Sequence, residues 1–315
     1  MISGGLHEPM RMIIVPFMKR TLLTGLATTL LLAAGSAPAG SAPAGAESAT
    51  LNVVTAESVY GNIVSQLGGS HVSVTSILSD PNADPHLYEP GTSNALAVAK
   101  ANVVIQNGLG YDSFMSRLES ASPNSHRNVL TIADVLGIHG NDANPHLWYD
   151  VPALSQIAGA IARALERADP ANTAGYRQGL ARFVASLSPL RREVAALKRR
   201  FAGDPVAYTE PVPGYLLAAA DIRNVAPESF TRAIEDGSEP SPAAVAQMTG
   251  LATGHKIKVL LYNSQTVSPI TSRIRSAAQK AGIPIVGVTE TLPPSQTFQQ
   301  WQLAQATALY AALAR

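Results

Sequence analysis

The strongest constraint on the fold is an alternation that occurs twice and is interrupted once. Short β-branched runs at 51–55, 71–78, 101–106 and 128–131 are separated by helically spaced apolar residues at 57–67, 93–100 and 111–118. The same grammar resumes near residue 203. Strand-like runs at 205–209, 223–226, 258–262 and 283–288 alternate with helical ones at 214–220, 242–252, 271–280 and 298–314. Alternating strands and helices of these lengths predict a mostly parallel sheet covered on both faces. Ligands of such sheets bind beyond the carboxyl ends of the strands. Between the two halves lie an Ala-rich helix at 152–168 and a long segment at 171–201. In the latter, Tyr176, Leu180, Phe183, Leu187, Leu190, Val194 and Leu197 recur at helical spacing. A helix of that length would extend about 45 Å, with a kink or restart expected at Ser188-Pro189. The expected fold class is therefore α/β: two (β/α) lobes, 47–168 and 203–315, joined by a linking helix over 169–202.

The first 46 residues read as an address. Lys19-Arg20 precedes a short apolar run at 21–34, and Ala44-Gly45-Ala46 fits a small-residue cleavage site before Glu47. The run is shorter than the ~20 residues that span a bilayer, so it reads as a signal peptide and not an anchor. Met18 is the more typical start, which makes 1–17 an upstream extension. No cysteine follows the run, so lipid attachment is not available and a periplasmic protein is expected. The absence of cysteine throughout also excludes disulfides, thiolate metal sites and cysteine nucleophiles. Any metal ion must be held by nitrogen and oxygen. With 46% apolar and 14% charged residues the chain can build a sizeable core, and its formal charge of +1 gives no electrostatic reason to expect nucleic acid as a partner.

Two short stretches carry the chemistry. Asp84-Pro85-His86-Leu87-Tyr88-Glu89-Pro90 frames a histidine between prolines, and Asn144-Pro145-His146-Leu147-Trp148-Tyr149-Asp150 repeats the layout. Proline restricts the residue before it to extended backbone, so each loop presents its histidine stiffly. A lone loop histidine is usually solvated; two in the same frame point to a metal ion. His139 lacks that frame and is at most an accessory ligand, while His71, His126 and His255 lie in turn-like or loop contexts. Asp84 and Asp150 flank the histidines and are candidates to accept their second ring N–H.

These stretches, with NGLGYDSF at 107–114, EPSP at 239–242 and NSQTVSP at 263–269, resemble the metal-binding solute receptors of ABC importers, the cluster A-I or TroA-like family. The resemblance runs in order from Leu51 to Arg315. It implies two lobes joined by a rigid backbone helix, a divalent ion in the cleft between them, and a permease with its ATPase as partners of a monomer. His86 and His146 fall at the ligand positions of the two histidine motifs. Glu210 stands where the family has His or Glu, and Glu290 where it usually has Asp. The chain departs from the family in that longer acid, in Asn144 for the usual Asp, and in lacking a His-rich loop.

Two imidazoles and two carboxylates balance a divalent ion. A carboxylate-containing site suits Mn²⁺ or Fe²⁺ more than a three-histidine site does, whereas Zn²⁺ tolerates either. By resemblance Glu210 tilts the choice towards manganese or iron. Two other classes fit the same residues, a metal-dependent hydrolase or oxygenase and a metal-binding adhesin. No His-Glu-x-x-His helix is present, and all four candidate side chains are used as ligands, which disfavours an enzyme.

Overall fold

The computed structural model describes residues 50–82, 84–140 and 142–315. The expected signal peptide and upstream extension, 1–46, lie outside the described residues. The first half holds β1 (Leu51–Glu57), α1 (Ser58–Gly68), β2 (Val72–Leu78), α2 (Thr92–Lys100), β3 (Val103–Gln106), α3 (Phe114–Ala121), β4 (Asn128–Thr131) and α4 (Ile132–Leu136). Its four strands lie in the order β2-β1-β3-β4, and every pair is parallel. The second half holds β5 (Pro205–Tyr208), α8 (Gly214–Ala219), β6 (Arg223–Asn224), α9 (Glu228–Glu235), α10 (Pro242–Thr253), β7 (Val259–Asn263), α11 (Pro269–Lys280), β8 (Ile285–Val288) and α12 (Phe298–Leu313). Its order, β6-β5-β7-β8, repeats that of the first sheet, again all parallel. Between them come α5 (Leu154–Ala168), α6 (Thr173–Ser186) and α7 (Ser188–Phe201).

The long segment is a bent helix, as its proline requires. Leu187 sits between α6 and α7, and Pro189 occupies the first turn of α7, where its missing N–H costs no helix bond. Four other elements differ from the sequence reading. Glu57, read there as the first helical residue, instead ends β1, where it pairs in register with Leu78 and is buried. The helix expected from residue 111 begins at Phe114, because 107–113 forms a loop with left-handed backbone at Gly108, Leu109 and Gly110. Asp112 closes that loop by accepting from the Gly108 N–H at 3.0 Å. Helices α4 and α9 are additions. Each is short, and the buried apolar side chains of α9 are Phe230 and Ile234, one turn apart, with Thr231 buried between them.

Apolar packing runs without a break from one half to the other. A single core cluster includes Val53 and Val103 of the first sheet and Leu154 and Ile161 of α5. It continues through Phe183, Leu190 and Leu197 of α6 and α7 to Val206 and Leu261 of the second sheet, and Trp301 and Leu309 of α12. Smaller clusters cover the outer faces of each sheet, around Val104 and Met115 in one and Leu260 and Ile274 in the other. Helix α12 is tied back to α1 by the Phe298 N–H donating to Asn62 Oδ1 at 2.9 Å and by the paired amides of Gln66 and Gln299. Both sheets point their carboxyl ends at the loops that carry the site.

Candidate metal site

The two histidine loops are built by one device used twice. Asp84 Oδ1 accepts the His86 N–H at 3.0 Å, and Asn144 Oδ1 accepts the His146 N–H at 3.0 Å. A short side-chain acceptor two residues before the histidine closes a turn, and the proline between them fixes its φ. Each loop then enters a single 3-10 turn, Pro85–Leu87 and Leu147–Tyr149. The first is pinned to the end of β2 by Tyr88 Oη donating to the Ile77 carbonyl at 3.0 Å. In the second, His146 Nδ1 also lies 2.8 Å from Asn144 Oδ1, so Nδ1 donates there and Nε2 faces the cluster.

The structure places each candidate residue as follows. His86, Glu210 and Glu290 offer ligand atoms that all lie within 4.8 Å of one another. His146 stands beside them, with Nε2 3.1 Å from Glu290 Oε2. His86 Nε2 is 3.4 Å from Glu210 Oε1. Glu210 follows β5 and Glu290 follows β8, so the second sheet supplies both carboxylates from its strand ends, while the first half supplies both imidazoles. His139 is exposed and 3.9 Å from Asp134, away from the cluster. Neither flanking aspartate touches a histidine ring. Asp84 accepts only the backbone bond described above, and Asp150 accepts from the Ala153 N–H at 3.3 Å.

Three side chains that the sequence reading left without roles hold the carboxylates or the ring. Asn263, the last residue of β7, donates through Nδ2 to Glu210 Oε2 and to Glu290 Oε1, the latter at 2.6 Å. A neutral amide placed between two carboxylates sets their spacing and lowers their mutual repulsion. Tyr111 Oη donates to Glu290 Oε2 at 2.8 Å and is carried by the left-handed loop after β3. Asn144 joins the halves. Its Nδ2 donates to the Pro211 carbonyl at 2.7 Å while its Oδ1 serves His146. Aspartate could not make that donation, which explains the amide here. Asn263 and Tyr111 lie inside NSQTVSP and NGLGYDSF, so the motifs held the signal although no role had been attached to it.

Electrostatics follow from enclosing these groups. Burial alone would lower the His86 pKa, but the adjacent Glu210 carboxylate and the charges of Glu290 and Glu235 outweigh it and raise it from 6.5 to about 9. His146 is likewise raised against its burial, by Glu235 and Glu290. Glu290 is lowered, because His146, His86 and Tyr111 overcome the burial that would raise it. Glu210 is raised by burial, with His86 pulling the other way. A proton on His86 Nε2 would thus occupy the edge that a cation would take.

The donor set fits a divalent ion. His86 Nε2 and Glu210 Oε1 are buried and make no hydrogen bond, and they face each other. Nitrogen and oxygen donors in this mixture suit first-row transition ions.

Two parallel-sheet halves with a cluster of nitrogen and oxygen donors at their strand ends define a two-lobed α/β protein with a candidate site for a small cation. A family model described as the periplasmic zinc-uptake complex component A matches residues 53–312, and the chain belongs to that family. The manganese ABC transporter substrate-binding lipoprotein scaA of Streptococcus gordonii is 24% identical over 234 residues, 69% of this chain and 73% of that protein. The periplasmic zinc-binding protein TroA of Treponema pallidum matches in structure with a TM-score of 0.71 and 21% identity, over 84% of this chain and 100% of that one. A point mutant of the periplasmic metal-binding protein of Candidatus Liberibacter asiaticus, in its Mn-bound form, matches with a TM-score of 0.69 and 19% identity, over 83% of this chain and 98% of that one. At these identities the structures establish a common fold.

Proposed function

We propose that this chain is an extracytoplasmic solute-binding protein that captures a divalent transition-metal ion and delivers it to an ABC importer. The ion is manganese, iron or zinc, and it is cargo, held by His86, His146, Glu210 and Glu290. The observation that carries this reading is the convergence of buried donor atoms without hydrogen bonds, His86 Nε2 and Glu210 Oε1, beside Glu290. The family and the names of its relatives agree with it. The metal named for scaA is manganese and that named for TroA is zinc.

Binding exchanges protons for the ion. The cation displaces the imidazole protons, while Asn144 keeps His146 Nδ1 occupied and so leaves Nε2 as the donor. Asn263 and Tyr111 hold the carboxylates in place throughout. The lobes are 47–168 and 203–315 with the bent helix over 169–202 between them, the signal peptide directs export, and a monomer presents the loaded cleft to the permease, which works with its ATPase. Purified protein should bind one divalent ion per chain by titration calorimetry, and His86→Ala and His146→Ala should each weaken it severely. Parent-like binding by both variants would remove the site from these residues.

A further inference from the structure

Glu235, the last residue of α9, points into the same cluster from a helix that none of the candidate ligands occupies. Its side chain is 14% exposed, and Oε2 lies 4.0 Å from His146 Nε2. That oxygen is buried and makes no hydrogen bond. His146 cannot satisfy it, because Nδ1 is engaged by Asn144 and Nε2 by Glu290. Arg232, one turn earlier on the same helix, is committed elsewhere, to Asp142 at 2.6 Å and Glu228 at 2.8 Å. Among the described residues no lysine or arginine pairs with Glu235. A buried carboxylate oxygen in this condition is costly unless a cation meets it.

Its place relative to the cleft is specific. A cleft of about 940 Å³ is lined by His86, Tyr111, Asn144, Pro211 and Glu235, whereas His146, Glu210 and Glu290 are fully buried and not part of that lining. His86 and Glu235 therefore stand between the open cleft and the deeper donors.

We propose that Glu235 is a fifth ion-binding side chain, a third carboxylate that receives the ion on the cleft side and selects for ions taking five or more donors. The inference rests on the metal-receptor reading above. Two imidazoles and two carboxylates can complete a tetrahedral set, which is what Zn²⁺ accepts. A third carboxylate adds a hard oxygen donor and a third negative charge, which favours Mn²⁺ and Fe²⁺ over tetrahedral Zn²⁺.

The test is a competition titration of Mn²⁺ against Zn²⁺ on full-length mature protein, comparing parent, Glu235→Gln and Glu235→Ala. The near-isosteric Gln variant preserves packing at the end of α9, and a melting curve on each variant verifies the fold. Both variants should lose about tenfold or more in Mn²⁺ affinity while Zn²⁺ affinity changes by less than about threefold. Co²⁺ supplies a second readout, since its visible absorption should strengthen in Glu235→Ala as the coordination falls towards tetrahedral. An Mn²⁺/Zn²⁺ ratio equal to the parent's, whether both affinities hold or fall together, overturns the inference. A parent protein that binds neither ion overturns this inference and the metal-receptor reading together, whereas a binding parent with an unchanged ratio overturns only the role of Glu235.

Discussion

Raising the pH from 6 to 9 should tighten ion binding and at the same time loosen the protein when no ion is present. The cause is His86, whose pKa stands at about 9 in the folded protein against 6.5 for a free imidazole. At pH 7 its proton must leave before the ion can bind, and displacing it costs about 2.7 kcal/mol relative to the fully deprotonated group. That is about 50-fold in apparent affinity between pH 7 and pH 9, where the group is half protonated. His146, also raised, adds to the slope. Stability without the ion runs the other way. A group whose pKa rises on folding contributes stability that is complete below its unfolded value and lost as pH passes its folded value. For His86 that window is 6.5 to about 9, and the shift is worth about 3 kcal/mol at most. Calorimetric titrations in two buffers of different ionisation enthalpy would count the protons released, with one or more per ion expected at pH 7. Thermal melts with a chelator present would follow the second effect. A flat affinity from pH 6 to 9, or no proton release at pH 7, would refute the argument.

Replacing Asn263 by alanine removes the shared donor between Glu210 and Glu290, and should weaken ion binding by about 10- to 100-fold in a competition titration. Gly214→Ala would place a methyl group 2.7 Å from Asn144 Nδ2, disturbing the amide that orients His146, and should reduce affinity by about tenfold. By contrast, Gly179→Ala would drive its methyl into the Leu67 carbonyl oxygen, where α6 crosses α1. It should cost about 1–3 kcal/mol in a denaturant melt and leave affinity as it was.

Much of this architecture was legible because burial on both faces demands β-branched runs, and Val103-Val104-Ile105 or Val259-Leu260-Leu261 have no other plausible use. The histidines were legible because their frames are local: an Asx side chain, a proline and a histidine close a turn within four residues. What could not be read depends on partners distant in sequence. Nothing near Asn263 tells that its amide will lie between acids 53 residues before and 27 residues after it. Glu235 was hidden for the same reason, because α9 has too few apolar positions to announce itself and its last residue acquires meaning only against His146. Gly214 is equally silent in the sequence. Its φ is not positive, and the requirement is the close approach of Asn144 from the other half.

The unbroken apolar packing from β1 to α12 bears on how long the ion stays. Separating the halves would expose side chains such as Phe183, Leu190 and Trp301, and each large one re-exposed to water costs about 1.5–3 kcal/mol. Motion on that scale carries a cost that a small loop movement avoids. The Pro-framed loop around His86 packs instead at the edge, with Leu87 78% exposed beside it. In the proposed receptor, residence time would then be set by a few loop residues and their own small barriers, and a docking permease would need to disturb only that loop to shorten it.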